Sequence, residues 1–206
     1  MPDLYSNVHW VLRWLHVLAG ITWIGHLYFF NFVNVPLQAS LDDATKKAVN
    51  PQLMPRALWW FRWGAMITWI AGLGLFTLIY MYTPGTGFGA TSLLLDQGKL
   101  TDRAMWILFG MLLGTIMWFN VWMIIWPTQK RLLTGKVPAA EIPQARRKAF
   151  LASRVNTFLS GPMLFAMLAP AHYGTMSIGG LVIALVFGLG AIFLAIKSSP
   201  KVGKLS

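Results

Sequence analysis

The 206 residues include no cysteine. That excludes disulfides, thiolate metal sites, cysteine-ligated iron–sulfur clusters and the CxxCH attachment of c-type haem. Any redox centre in the chain must therefore be held by histidine, methionine, lysine or oxygen ligands. Acidic side chains are nearly as scarce, six Asp and Glu in all. None falls within an apolar run, so there is no carboxylate dyad for hydrolysis and no intramembrane carboxylate to move protons. A nucleophile–base pair, a P-loop, a GxGxxG after a strand, an internal repeat and a low-complexity segment are all missing too. What is present is apolar: 56% hydrophobic residues against 11% charged, with mean hydropathy +0.58. A soluble domain of this size carries more charge than that, so lipid is the solvent for much of the surface.

Runs of roughly 18 or more apolar residues occur near residues 8–33, 57–82, 104–126, 150–169 and 178–196. The shortest is long enough for about 28 Å of helix at roughly 1.5 Å per residue. The expectation is an all-α integral membrane bundle of about five transmembrane helices forming one membrane domain over residues 1–206. The first run starts close to Met1, but no basic segment precedes it and it is longer and more polar than a signal-peptide core, which argues against cleavage.

The net charge of +11 invites a nucleic-acid reading, but the positions of the charges oppose it. Lys46, Lys47 and Arg56 lie in the first loop, Lys130, Arg131, Lys136, Arg146, Arg147 and Lys148 in the third, and Lys197, Lys201 and Lys204 in the tail. The opposite side has only Lys99 and Arg103, beside Asp96 and Asp102. By the positive-inside rule the amino terminus is outside and the carboxyl terminus cytoplasmic. The partner of the basic face is then the anionic bilayer surface, with no nucleic acid. The expected location is the bacterial inner membrane, crossed several times.

Pro36, Pro51 and Pro55, the TPGTGFG stretch from Thr83, and Pro127, Pro138 and Pro143 mark places where helix does not easily continue. Trp10 and Trp14 fall at the outer boundary and Trp59, Trp60, Trp63, Trp122 and Trp126 at the inner one, as aromatic belts do. Gly72, Gly74, Gly110 and Gly114 suit close helix contact. Asn31, Asn34, Asn120 and Asn156 are expected to hydrogen-bond between helices, and Pro162 to kink the fourth helix.

Three of the four histidines, His9, His16 and His26, share the first helix. Ionisable side chains are costly in hydrocarbon and usually mark a site. At about 100° per residue, His9, His16 and Trp23 share a face, with Gly20 one turn beyond His16. A glycine beside a ligand histidine leaves room for a flat macrocycle. His26 is turned about 80° from His16 and roughly 15 Å along the axis, too far to share a metal. His172, in LAPAHYG, lies at the same outer end as His9. The group points to haem coordination, with Arg13 either reaching the headgroups or pairing with a haem propionate. The ligand pair stays open: His16 with His172 requires the fourth loop to dip inward, and the other choice is His9 with His172.

The stretches LHVLAGITWIGHLYF from Leu15, LWWFRWGAMITWIAG from Leu58, NVWMIIWPTQK from Asn120 and SRVNTFLSGPMLFAMLAPAHYG from Ser153 resemble the membrane domain of the bacterial membrane-bound urate oxidase family. The first also resembles the opening helix of the small bacterial membrane protoporphyrinogen oxidase, a b-haem protein whose histidine corresponds to His16. The resemblance implies a haem b scaffold with His16 and His172 at the matching positions; it gives no such support to His9 or His26. Longer members carry a cytochrome c domain and a glycine- and histidine-rich first-loop segment that this sequence does not show. Urate oxidation by this chain alone is therefore not expected. The implied function is electron transfer in company with a separate cytochrome c or other membrane subunits. The competing reading is a cofactor-free accessory subunit of a respiratory or photosynthetic complex.

Overall fold

The computed structural model describes residues 3–203; Lys204, counted above in the basic tail, lies outside them. The chain is an all-α bundle and a multi-pass membrane protein. Helix α1 (Leu4–Tyr28) passes through a wide π-turn (Phe29–Asn34) into α2 (Val35–Ser40), and α3 (Asp43–Tyr80) returns. Helix α4 (Asp102–Phe119) repeats the pattern with a π-turn (Asn120–Ile125) into α5 (Trp126–Leu133), and α6 (Ile142–His172) and α7 (Ile178–Ser198) complete the bundle. Among the described residues four continuous helical stretches are long and apolar enough to cross a membrane: Leu4–Ser40, Asp43–Tyr80, Asp102–Leu133 and Ile178–Lys201.

The fifth expected span, residues 150–169, lies within α6, which is long but not among those four. The reason is its position. Helix α6 packs between α4 and α7 and buries Ala149, Ala152, Asn156, Thr157, Ser160, Pro162, Met163, Ala166 and Ala169. A helix packed between two others needs small and polar residues on its contact faces, whereas a lipid-facing surface needs apolar bulk.

Several prolines act differently from the expectation. Pro51 and Pro55 sit inside α3, which starts at the Asp42 cap well before the expected residue 57. Each removes one backbone donor, and this segment is largely exposed. Pro36 and Pro127 likewise do not end their helices. Each follows a six-residue π-turn by two positions, and Val35 and Trp126 donate to the carbonyls five residues back, Phe30 and Val121. The wider turn accommodates a proline ring that would clash with the carbonyl four residues earlier in a regular helix.

Both ends of α3 are closed by threonines. The Asp42 carboxylate accepts the Thr45 N–H (2.9 Å) and hydroxyl (2.7 Å), which hold its pKa below the usual carboxylate value. The cap is complete above that usual value and is lost as pH falls through the lowered one. At the far end, Thr91 donates its N–H to Tyr80 O (3.0 Å) and its hydroxyl to Ile79 O (3.1 Å). The α3–α4 connector forms two short hairpins, β1 (Tyr82–Thr83) with β2 (Gly87–Phe88) and β3 (Leu95–Asp96) with β4 (Lys99–Leu100). The second turns on Gln97 and Gly98, both at positive φ (48° and 77°), as a two-residue hairpin requires.

The core lies between α1, α3, α4 and α6, where Trp23, Leu27, Phe61, Ala65, Met117 and Val121 are buried together. Small residues set the helix spacing. A Cβ on Gly110 would stand 3.3 Å from Ala166 Cβ, so α4 and α6 touch there. Helices α6 and α7 meet backbone to backbone at Gly161 and Gly188, where a Cβ on Gly161 would collide with the Gly188 carbonyl. Gly188→Leu is therefore expected to lower stability by about 1–3 kcal/mol, the usual range for an overpacked contact. Thermal unfolding in detergent measures this, and an unchanged midpoint would show that the contact does not constrain α7.

Candidate functional site

Helix α1 carries His9, His16 and His26 and lies along α3. The His16 ring is half-buried, and its Nδ1 is 2.9 Å from the Thr68 carbonyl oxygen. A carbonyl only accepts, so Nδ1 is the protonated nitrogen and Nε2 carries the lone pair. Gly72 makes this approach possible: a Cβ there would stand 3.0 Å from His16 Cε1 and 3.2 Å from Nδ1. About two turns earlier on α3, Gly64 lets the α1 backbone in, since its Cβ would meet Trp23 N at 3.0 Å. Gly20 faces Thr68 at ordinary contact distance, 3.9 Å from a Cβ placed there.

The other expected ligands have different surroundings. Arg13 donates from Nη2 to His9 Nε2 (3.1 Å), and the His9 ring stacks on Tyr5 with centroids 6.2 Å apart. The His9 lone pair is thus engaged, and exposed Arg13 has a partner besides headgroups. His172 is the last residue of α6 and is exposed, with no hydrogen bond or ring contact among the described residues. Its neighbour Tyr173 packs edge-on against Trp106 (5.7 Å) and Phe165 (5.0 Å). Side-chain hydrogen bonds join the first helical stretch to α6 through Tyr28 with Ser160 (3.0 Å) and Asn31 with Ser153 (2.9 Å), twelve or more residues from either histidine. The structure therefore brings together His9 with Arg13, and His16 with Thr68 and Gly72, but records no contact between His172 and either histidine. Among the described residues no group of three or more His, Asp or Glu is placed to hold a metal ion.

His26 was set apart from His16 by helix geometry, and it has surroundings of its own. Its Nδ1 lies 2.7 Å from the Thr22 carbonyl, so again Nε2 carries the lone pair. It borders a groove between α1 and α3 of about 510 Å³, lined also by Gly25, Phe29, Arg56 and Trp60. Arg56, expected in the first loop with Lys46 and Lys47, stands instead within α3, which starts earlier than the apolar run implies; its meeting with Trp60 and His26 depends on how α3 packs.

Toward the same end, a polar seam crosses the bundle. Asn120 Nδ2 donates to Asn156 Oδ1 (2.8 Å), and Asn156 Nδ2 donates to the Met117 carbonyl (2.8 Å). Asn31 Nδ2 donates to the Leu27 carbonyl (3.0 Å) and to Ser153 Oγ, while its Oδ1 is buried without a partner among the described residues. Asn34 bonds Gln38 within the first stretch, with Met54 Sδ of α3 at 3.9 Å. Trp122 Nε1 donates to the Arg62 carbonyl (3.2 Å), and the Arg62 guanidinium stands 3.7 Å over the Trp126 ring. Asn31, Asn34, Gln129, Arg146 and Ser153 also border a smaller cavity of about 130 Å³. Asn156→Leu removes two interhelical bonds, each worth about 0.6–1.7 kcal/mol in a membrane bundle. A loss of about 1–3 kcal/mol in an SDS unfolding titration is expected, and no loss would show that the seam is not structural.

A family model described as urate oxidase N-terminal matches residues 41–97 and 88–198. The match includes His172 and starts after α1. Neither the curated proteins nor the solved structures give a match.

Proposed function

Because the chain belongs to the urate oxidase N-terminal family, we propose that it is a membrane redox domain that holds a b haem on His16 and passes electrons to a separate cytochrome c or another membrane subunit. The observation that carries this reading is the state of His16. Its Nδ1–H is tied to the Thr68 carbonyl, which fixes the tautomer and leaves Nε2 as a ligand, the arrangement that outer-shell partners impose on metal-binding imidazoles. The donor set thus fits an iron porphyrin through one oriented nitrogen. A bound haem would supply the one-electron ferric–ferrous couple.

The chain's own groups divide the remaining work. Thr68 and Gly72 position the ring. His172 is the better second ligand than His9, because the His9 lone pair already accepts from Arg13 while His172 has no hydrogen-bond partner among the described residues. Arg13 is the group to meet a propionate near the outer boundary. Haem content by pyridine haemochrome and reduced-minus-oxidised spectra test the reading. His16→Ala should lose the b-type bands or convert them to a high-spin form, Gly72→Val should perturb them by displacing the ring, and His172→Ala should alter them. Haem-free protein from haem-replete cells, or an unchanged His16→Ala spectrum, would overturn the assignment.

The proposed location is the bacterial inner membrane, with the basic end in the cytoplasm. Inverting the chain would carry Lys130, Arg131, Lys136, Arg146, Arg147 and Lys148 across the membrane against the charge bias. The absence of cysteine makes Lys136→Cys a clean reporter. It should resist an impermeant thiol reagent applied to the periplasmic face of intact cells and react in inverted vesicles; periplasmic labelling would reverse the topology.

A further inference from the structure

The geometry points to the α1–α3 groove as a binding site for the ring of a membrane quinol, with His26 Nε2 accepting a hydrogen bond from one ring hydroxyl and Arg56 serving the oxygen opposite. This deepens the redox reading above by naming a class of electron donor, and the binding itself does not depend on haem.

The argument starts from His26. Its Nδ1–H is satisfied by the Thr22 carbonyl at 2.7 Å, so Nε2 is an acceptor, and no donor reaches it among the described residues. An acceptor left without a donor in an apolar setting is costly, so an occupant with an O–H is favoured there. An acyl chain has none. The groove also has a shape. Gly25 contributes no side chain, and a Cβ there would have nothing within 4 Å. Phe29 and Trp60 supply aromatic walls, and Ile21 lines it too. A flat ring fits such a slot better than a branched headgroup does.

Volume and access agree with this. A cavity of roughly 150 Å³ takes a benzene ring, so about 510 Å³ holds a substituted ring with the first part of its tail. Ile21 is 65% exposed and Trp60 56% exposed, and both lie on apolar stretches that cross the membrane. The groove therefore opens to the bilayer, from which a lipid-soluble ligand would enter. Arg56 stands where α3 passes into its basic segment; its Nη1 is hydrogen-bonded to Gln52, and its remaining N–H groups are donors suited to a second ring oxygen.

The test is equilibrium binding of decylubiquinol under anaerobic conditions to the purified chain in nanodiscs, with heptyl hydroxyquinoline N-oxide as a fluorescent competitor. Saturable binding is expected. His26→Phe, which removes the acceptor, should weaken it by about three- to tenfold, the worth of one hydrogen bond. His26→Gln, which restores an acceptor, should recover most of the loss, and Gly25→Leu, which fills the slot without touching His26, should abolish binding. Any haem present should keep its spectrum in all three variants. Absence of saturable binding, or equal affinity in wild type, His26→Phe and Gly25→Leu, would overturn the proposal. So would displacement by phosphatidylglycerol alone, which would make the occupant a lipid headgroup, or loss of haem in His26→Phe, which would make the groove the iron site. Quinol binding to a haem-free protein would instead refute only the reading of the preceding subsection.

Discussion

The bundle depends on how it covers polar groups beside the π-turns of its two long stretches. In hydrocarbon no water is available to a freed carbonyl, and each unsatisfied group costs several kcal/mol. At the first turn Asn31 Nδ2 reaches the Leu27 carbonyl, and at the second Asn156 Nδ2 reaches the Met117 carbonyl. Both amides also reach another element, through Ser153 and Asn120. One need, to cover polar groups away from water, therefore ties both stretches to α6.

That need explains why α6 is the least lipid-like of the long helices. It supplies Ser153, Asn156, Thr157 and Ser160 to the seam and Gly161 to the contact with α7. Polar and small residues at these positions lower its hydropathy, because neighbouring helices cover that face while Phe150, Leu151, Val155, Leu164 and Leu168 stay exposed on the other. Helix α7 has the opposite role. Few of its residues are buried, and its exposed Val182, Val186, Phe187 and Leu194 make it the most apolar stretch.

Hydropathy and charge made the four apolar stretches legible, since both follow from composition along one helix. The start of α3 and its continuity through Pro51 and Pro55 were not, because a proline at an exposed position costs less than its local rule implies. The hairpins after α3 showed only as turn-forming residues; their pairing depends on Gln97 and Gly98 taking positive φ together. Within the candidate site, helix periodicity placed His9, His16 and Trp23 on one face and turned His26 away, and the structure has His16 against α3 and His26 on the groove. The partners Thr68 and Gly72 were beyond reach, since they lie more than fifty residues from His16 and become its neighbours only through packing. That Gly72 is small is plain from the sequence, but which ring it admits is a property of two helices rather than one.

A shared chemical form connects the two inward histidines despite their separation. Each donates Nδ1–H to a backbone carbonyl, one on another helix and one on its own. Each therefore presents Nε2 as a lone pair, though the surroundings differ. His16 is clamped between α1 and α3 at a place that only glycine leaves open, which suits a ligand whose orientation must not vary. His26 is held only by its own helix and borders an open groove, which suits a group that meets an exchangeable partner. Because about 80° of helical turn and roughly 15 Å of rise separate them, the two cannot serve one centre. A single helix can nonetheless carry a fixed site and an exchange site at different depths, joined by the packed face that holds Trp23 and Leu27.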